Sequence, residues 1–184
     1  MTHDPRQDPF HLGPMPPSAR MITLDRLVVA ADVDTIFALA RDVERWPELL
    51  PHYRRVRFIS RTTDGGGVVE MAAVRPFGLV DWPTWWVSEM QIGTCDGGPP
   101  WIRYRHVRGI TRRMEVLWAF REAEGGTMTT ILHMWNGPSW PVIGDVAAQR
   151  VIGPVFVHGI ASRTLSGLAR VAEQSVGSTS RSGA

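Results

Sequence analysis

Apolar residues follow two different periods along the chain, and the change between them predicts the order of the secondary structure. Residues 22–30 are rich in Val, Ile and Leu, which is typical of a strand. Asp32 or Asp34 then begins a helix by accepting hydrogen bonds from its open amides, and Asp42 begins a second short helical piece that Pro51 ends. Beyond Pro51 the period becomes two, which indicates strands.

The second half of the chain predicts a run of strands followed by one long helix. Alternation and glycine-rich turns indicate about six antiparallel strands, at residues 55–61, 68–74, 82–92, 101–108, 112–122 and 127–135. Residues 146–174 predict a helix that is kinked at Gly153-Pro154, with one later face formed by Ala161, Leu165, Leu168 and Ala172. The order predicts an α+β fold in which a single sheet packs on the long helix, and a gap between them is a common place for a ligand pocket.

Both ends of the chain predict disorder. Residues 1–19 are rich in proline and have no apolar period, and they lack the basic start and apolar segment of a secretory signal. Residues 175–184 are mostly Ser, Gly and Thr. We therefore expect a disordered tail over 1–19, one domain over 20–174 and a second disordered tail over 175–184.

Composition and charge narrow the class of protein. The 184 residues are 43% hydrophobic and 21% charged with a net charge of +2, which excludes a disordered chain. No apolar run approaches the roughly 20 residues of a membrane span, and the single cysteine, Cys95, favours a reducing, cytoplasmic location. All basic residues are arginines spread among acidic ones, so no nucleic-acid stripe is predicted. The cluster of Arg54, Arg55, Arg57 and Arg61 indicates a solvated strand face, with a phosphate site as the alternative.

Common motifs of catalysis and cofactor binding are absent from the sequence. There is no phosphate-binding loop, no dinucleotide fingerprint, no G-x-S-x-G nucleophile turn, and neither H-E-x-x-H nor paired cysteines. We therefore predict neither a cofactor nor a metal.

Three stretches resemble one superfamily. Residues 28–31 with the helix after them, and residues 42–53 around Trp46-Pro47-Glu48-Leu49, resemble the opening of START-like, helix-grip (SRPBCC) proteins, and in particular the polyketide cyclase and coenzyme Q-binding group. Residues 109–120 resemble its central strand, and residues 153–174 resemble its C-terminal helix. The resemblance implies a curved antiparallel sheet wrapped around a long C-terminal helix, with two short helices and an internal hydrophobic cavity. Family members hold polyketides, quinones or lipids there, and Met90 and His106 stand where some cyclases have pocket arginines.

Strand alternation predicts which side chains enter that cavity. It sends Arg103 and Arg105 outward. It sends the alternate residues of the same strand and of the next one inward: Ile102, Tyr104, His106, Met114, Val116, Trp118 and Phe120. The resemblance to the family favours two further inward sets: Ile131, His133 and Trp135, and Val68, Glu70, Ala72 and Val74.

From these positions we predict two groups of site residues. The predicted catalytic residues, which would supply a base and hydrogen-bond donors for an aldol cyclisation, are His106, Tyr53, Glu70 and His133. The predicted ligand-binding residues are Trp46, Trp86, Ser88, Met90, Tyr104, Met114, Trp118, Ile131, Trp135 and His158. The alternative is that the polar members are hydrogen-bonded core residues that only orient a ligand, and that the tryptophans mainly pack the core.

The sequence thus supports two main hypotheses about function. The first is a polyketide cyclase or aromatase that acts on an apolar polyketide without a cofactor. The second is a non-catalytic carrier or chaperone of a quinone or lipid, and a weaker third is an interaction protein of the ribosome-toxin type. In each of the first two the partner is a hydrophobic small molecule rather than nucleic acid, and the protein is a monomer or a homodimer.

Overall fold

One antiparallel sheet organises the protein. The computed structural model describes residues 7–77, 80–95, 97–137 and 158–182. Its seven strands are β1 (Met21–Val29), β2 (Tyr53–Arg61), β3 (Gly67–Phe77), β4 (Val80–Thr94), β5 (Pro100–Gly109), β6 (Glu115–Ala123) and β7 (Gly126–Trp135). Their order in the sheet is β1-β7-β6-β5-β4-β3-β2. From β2 to β7 each strand pairs with the next in sequence, and β1 closes the sheet by pairing with β7.

Three α-helices within the described ranges accompany the sheet. They are α1 (Val33–Arg41), α2 (Trp46–Leu49), which follows a 3-10 turn at Val43–Arg45, and α3 (His158–Ser182). Asp32 caps α1 as predicted, because its carboxylate accepts a hydrogen bond from the Thr35 amide at 2.7 Å. The predicted apolar face of the last helix is also confirmed, with Ala161, Leu165 and Leu168 all buried. The predicted start of this helix at 146 and its kink at 153–154 lie outside the described residues.

The inward faces of β5, β6 and β7 are confirmed. Every residue that alternation or the family resemblance sent inward on these strands is buried: Ile102, Tyr104, His106, Met114, Val116, Trp118, Phe120, Ile131, His133 and Trp135. The prediction that β6 begins at residue 112 is wrong, since residues 110–113 form a turn. Gly109 and Arg113 enter and leave this turn with positive φ values of 95° and 69°.

The inward face predicted for β3 is wrong. Val69, Met71 and Ala73 belong to the core cluster, whereas the residues predicted to point inward, including Glu70, alternate with them. The register fixes this phase, because Met71 pairs with Trp86 and Val69 pairs with Ser88. Both faces of β3 carry apolar residues, so alternation alone does not distinguish them.

Parts of both predicted tails lie within the described ranges and form ordered contacts or helix where the sequence predicts disorder. Gln7 exchanges backbone hydrogen bonds with Arg61 and Thr63, each of 3.0 Å. Leu12 is only 4% exposed, and its carbonyl accepts a 2.6 Å hydrogen bond from Arg105. The physical reason is that Arg103 and Arg105 on the outer face of β5 share one carboxylate, that of Glu115 on β6, and residues 7–13 supply further acceptors. At the other end α3 continues through Ser182.

Replacing Leu12 by alanine is therefore expected to destabilise the protein by about 2 kcal/mol, the lower end of the cost for a buried leucine. Ile59→Ala is the matched control, because Ile59 is 57% exposed and its truncation should change stability by less than about 0.5 kcal/mol. Urea denaturation of the full chain measures both. Equal stabilities for the two variants would mean that residues 7–13 do not dock.

Candidate functional site

A cavity of about 90 Å³ lies between the inner face of the curved sheet, α2 and the first turns of α3. Its walls come from β2 to β7, the β5–β6 turn and the two helices. The lining residues are Trp46, Tyr53, Met71, Thr84, Trp85, Trp86, Tyr104, His106, Ile110, Thr111, Met114, Val116, Trp118, Ile131, His133, Ile160, Ala161 and Thr164. The lining is mainly aromatic and aliphatic, with a few polar groups among them, which is the usual composition of a small-molecule site.

The cavity contains most of the predicted site residues but not all of them. Those that line it are Tyr53, His106, His133, Trp46, Trp86, Tyr104, Met114, Trp118 and Ile131. Ser88, Met90 and Trp135 are buried on the inner side without lining it. The side chain of His158 lies outside the described part of the chain. Glu70 lies on the opposite face of the sheet.

The sheet register sets the polar residues of the cavity side by side. Tyr104 on β5 pairs with Val116 on β6, and Val116 pairs with His133 on β7, so that the tyrosine and the histidine flank one valine. His106 follows Tyr104 by two residues and therefore projects from the same face of β5. Three polar side chains thus share one region of an otherwise apolar wall.

His106 is held rigidly as a neutral imidazole. Its ring stacks on Trp86 with 5.9 Å between centroids and 16° between planes. Its Nδ1 is hydrogen-bonded to the Thr111 hydroxyl at 2.7 Å, a contact that the β5–β6 turn makes. Burial, with a smaller contribution from His133, lowers the pKa of His106 to about 3. His106 is therefore uncharged near neutral pH and is a weak base.

Two tyrosine hydroxyls face the cavity and differ in their hydrogen bonding. The Tyr53 oxygen lies 3.3 Å from the Thr164 hydroxyl. The Tyr104 hydroxyl is buried and has no hydrogen-bond partner among the described residues. Burial raises the pKa of both phenols, so both keep their protons at neutral pH. An unpartnered buried hydroxyl is costly, and an oxygen atom of a bound ligand would satisfy Tyr104.

Glu70 is not a cavity base, contrary to the prediction. Its carboxylate accepts hydrogen bonds from the Trp85 indole at 3.0 Å and from Arg57 at 2.6 Å, and it lies 3.1 Å from Arg55. The hydrogen bonds from Trp85 and Arg57 lead the causes that lower the pKa of Glu70. It therefore remains an ionised partner of the arginines on the outer face of β2, which confirms the solvated strand face for Arg55 and Arg57.

Packed tryptophan rings form one wall of the cavity. The Trp46 indole donates a 3.1 Å hydrogen bond to the Leu39 carbonyl, which fixes α2 against α1. Its ring contacts those of Tyr53 and Trp118, with centroid distances of 5.1 and 5.8 Å. Trp46 and Trp118 both line the cavity. They therefore pack the core and also present aromatic surface to a flat ligand.

Comparison with known protein families agrees with this architecture. Residues 29–152 match the model of a family described as polyketide cyclase/dehydrase and lipid transport. The chain belongs to this family. No helix within the described ranges is long and apolar enough to cross a membrane, and the same ranges contain no group of three or more residues that could hold a metal ion.

Individual relatives agree with the family assignment. A curated protein of Streptomyces cyaneus named as a putative polyketide cyclase is 31% identical over 107 residues, which cover 57% of this chain and 66% of that protein, slightly less than two thirds. The solved structure of the Zhui aromatase/cyclase from Streptomyces sp. R1128 superposes with a TM-score of 0.66 at 16% identity, covering 84% of this chain and 94% of the other. A START superfamily protein from Mycobacterium smegmatis gives 0.59 at 17% identity, with coverages of 86% and 99%. These structures show that the fold is the helix-grip fold.

Four polar or flexible residues that line the cavity are not found by sequence reasoning: Met71, Thr84, Thr111 and Thr164. Thr164 lies between Ala161 and Leu165 on the predicted apolar face of α3, so the helical period alone could have placed it. Thr111 belongs to a turn and carries no periodic signal. Met71 was placed outward because the two faces of β3 look alike in the sequence.

The low pKa of His106 predicts a loss of stability in acid. Below the ordinary histidine value of 6.5 the unfolded chain takes up a proton that the folded chain refuses until about pH 3, so stability falls as the pH falls through this window. The slope from this group is at most about 1.4 kcal/mol per pH unit. His106→Gln should flatten the decline between pH 6.5 and 4.5 in urea denaturation, while His52 adds its own smaller slope to both proteins. Parallel declines would show that His106 titrates normally.

Proposed function

We propose that this protein binds an apolar, carbonyl-bearing molecule of polyketide type in the cavity and promotes its cyclisation and aromatisation without a cofactor. The observation that carries the proposal is the Tyr104 hydroxyl, which is buried within an aromatic wall and has no hydrogen-bond partner among the residues that the structure describes. Such a group is satisfied by a ligand oxygen, and a polyketide carries carbonyl oxygens along an otherwise apolar chain. The family, and the name of the Streptomyces cyaneus relative, support the same substrate class.

The chemistry proposed for the cavity is hydrogen-bond donation rather than strong base catalysis. An aldol closure removes a proton from a carbon next to one ketone, the resulting enolate carbon forms a bond to a second carbonyl carbon, and the oxygen of that carbonyl takes up a proton to become a hydroxyl. Loss of water then gives the unsaturated ring. Protons between two carbonyls of a poly-β-ketone are acidic enough for rings to close spontaneously, so the protein has to choose the carbons that meet. Tyr104 and Tyr53 can hold an enolate or ketone oxygen.

The environment of His106 favours a role other than the predicted base. A base is most effective when its pKa lies near the working pH, and a value of about 3 is far below it. A neutral imidazole that is bonded to Thr111 through Nδ1 and stacked on Trp86 instead fits a positioned hydrogen-bonding group at the cavity wall. We therefore propose His106 as a ligand-orienting residue.

The small size of the cavity leads us to propose that its walls adjust to the ligand. Its volume of about 90 Å³ is small compared with the roughly 300–1,000 Å³ of typical ligand pockets. Several wall residues are methionine or isoleucine, including Met71 and Met114, and flexible side chains can move to admit a larger molecule.

The decisive experiment for this function is an assay of product distribution. A reactive poly-β-ketone is incubated with and without the full-length protein, and the products are separated by chromatography and identified by mass spectrometry. We expect one cyclic product to be enriched over the spontaneous mixture. An unchanged mixture, together with measurable binding of the polyketide, would reject the cyclase.

A non-catalytic carrier of a quinone or lipid is the second candidate. The observation that favours it is that His106 and both tyrosines stay uncharged near neutral pH, so none of the three transfers a proton readily there. A quinone also offers two carbonyl oxygens to Tyr104 and a flat ring to the tryptophans. In the same assay a carrier would bind its ligand and leave the product mixture unchanged. In either case we propose a cytoplasmic location.

A further inference from the structure

A second concave site lies on the other side of the cavity wall, and no part of the proposed function uses it. This groove has a volume of about 530 Å³ and lies between the start of β2 and the outer side of α3. We call it the arginine groove, because Arg54, Arg163 and Arg170 line it together with His52 and Ser166. Within the described ranges, no carboxylate is among its lining residues.

The three arginines are free to bind an anion. Arg163 and Arg170 are seven residues apart on α3, so they lie on the same face two turns apart. None of the three takes part in an ion pair within the described part of the chain, whereas Arg55, Arg57 and Arg61, on the same strand as Arg54, are all paired with glutamates. The side chains of the groove arginines are exposed. Arg54 thus differs from the rest of its sequence cluster.

Close helix packing and a hydrogen bond hold the residues of the groove in place. Gly167 lines its floor, and a Cβ atom at this position would lie 2.3 Å from the Leu50 side chain, so a glycine allows α3 to approach α2 closely here. His52 is fixed by a 3.0 Å hydrogen bond between its Nε2 and the Thr164 hydroxyl. Burial, and the charge of Arg163 close by, lower the pKa of His52 to about 4.

We propose that the arginine groove binds the phosphate group of a soluble phosphate ester. Arginine guanidinium groups present paired N–H donors that match the oxygens of a phosphate, and such charge-assisted bonds are among the strongest in proteins. Three arginines and the Ser166 hydroxyl supply more positive charge and more donors than a single carboxylate uses, which favours a doubly charged phosphate. The described linings of the groove and of the cavity have no residue in common, although Thr164 of the cavity is hydrogen-bonded to His52 of the groove.

The test uses the ring signals of His52 in NMR spectra of the full-length protein. Inorganic phosphate is titrated at constant ionic strength, and we expect saturable shifts of these signals. Acetate at the same ionic strength should bind at least ~10-fold more weakly. Linear, non-saturating shifts, or equal affinities for acetate and phosphate, would overturn the proposal.

Substitutions locate the binding. The double variant Arg163→Gln, Arg170→Gln should bind phosphate at least ~10-fold more weakly than the wild type. Arg54→Gln alone should weaken phosphate binding at least ~3-fold. Arg121→Gln on β6 is the control and should change nothing, since Arg121 is exposed and does not line the groove. All variants should bind an apolar dye in the cavity like the wild type, which separates this proposal from the proposed function. Phosphate affinities that do not depend on Arg54, Arg163 and Arg170 would overturn it.

The source of the phosphate is tested separately. Vesicles of phosphatidylcholine with and without phosphatidic acid are sedimented with the protein. We expect no co-sedimentation with either. Binding that requires phosphatidic acid and is lost in the double variant would assign the groove to a membrane surface and overturn the soluble ester.

Discussion

Replacing Tyr104 by phenylalanine is expected to lower cyclisation of a poly-β-ketone by about 100-fold and, at the same time, to leave the protein as stable as before or more stable. The Tyr104 hydroxyl has no partner in the described part of the unliganded protein, so its removal relieves the cost of burying it. The loss of one donor that holds a developing oxygen anion costs roughly 100- to 1,000-fold in rate. Turnover and thermal unfolding of the same samples measure the two effects.

Tyr53→Phe is the matched control for this pair of effects. Tyr53 lines the same cavity, but its hydroxyl already contacts Thr164 at 3.3 Å. The substitution should therefore cost about 1 kcal/mol of stability, the typical value of one hydrogen bond. If Tyr104→Phe instead destabilised the protein as much as Tyr53→Phe and left turnover unchanged, Tyr104 would be an ordinary core residue and the carrier would be favoured.

Replacing Trp118 by alanine is expected to have the largest effect on binding. Trp118 is buried in the middle of β6, contacts Trp46 and Phe120, and lines the cavity. The truncation should destabilise the protein by about 3–5 kcal/mol. It should also lower the affinity of the protein for an environment-sensitive naphthalene dye at least ~10-fold. Dye fluorescence and quenching of the protein's own tryptophan emission measure the affinity.

Trp101→Ala provides the matching comparison for this substitution. Trp101 lies two residues before Arg103 on β5 and therefore points outward like that arginine. It pairs with Ala119 on β6, and its ring lies over Gly93. Its removal should leave dye affinity unchanged. Equal loss of affinity in the two variants would place the dye outside the cavity, and unchanged binding in Trp118→Ala would contradict the wall described for it.

The parts of the fold that sequence predicted well are those where one face is unambiguous. On β5 and β6 the outward positions include Arg103, Arg105 and Glu115, so alternation has only one plausible phase. On α3 the small and aliphatic residues repeat every three or four positions and match the buried face. The cavity residues on these elements, such as Tyr104 and Trp118, followed directly.

The remaining features depend on contacts that no local pattern encodes. The phase of β3 is set by its pairing with β4, which brings Met71 opposite Trp86. Residues 7–13 dock because two arginines far along the chain need acceptors. The role that we propose for His106 differs from the predicted base for the same reason, since the burial that lowers its pKa is a property of the assembled cavity.

The most direct test of the central claim, that a buried hydroxyl in an apolar cavity holds a ligand carbonyl, is the infrared stretch of an aromatic ketone bound to the protein. Acetylnaphthalene bound to the wild type should absorb at lower frequency than the same ketone in an apolar solvent, because the Tyr104 hydroxyl donates a hydrogen bond to its oxygen. In Tyr104→Phe the band should return towards the solvent value. A bound ketone that absorbs at the same frequency in both proteins would contradict the account.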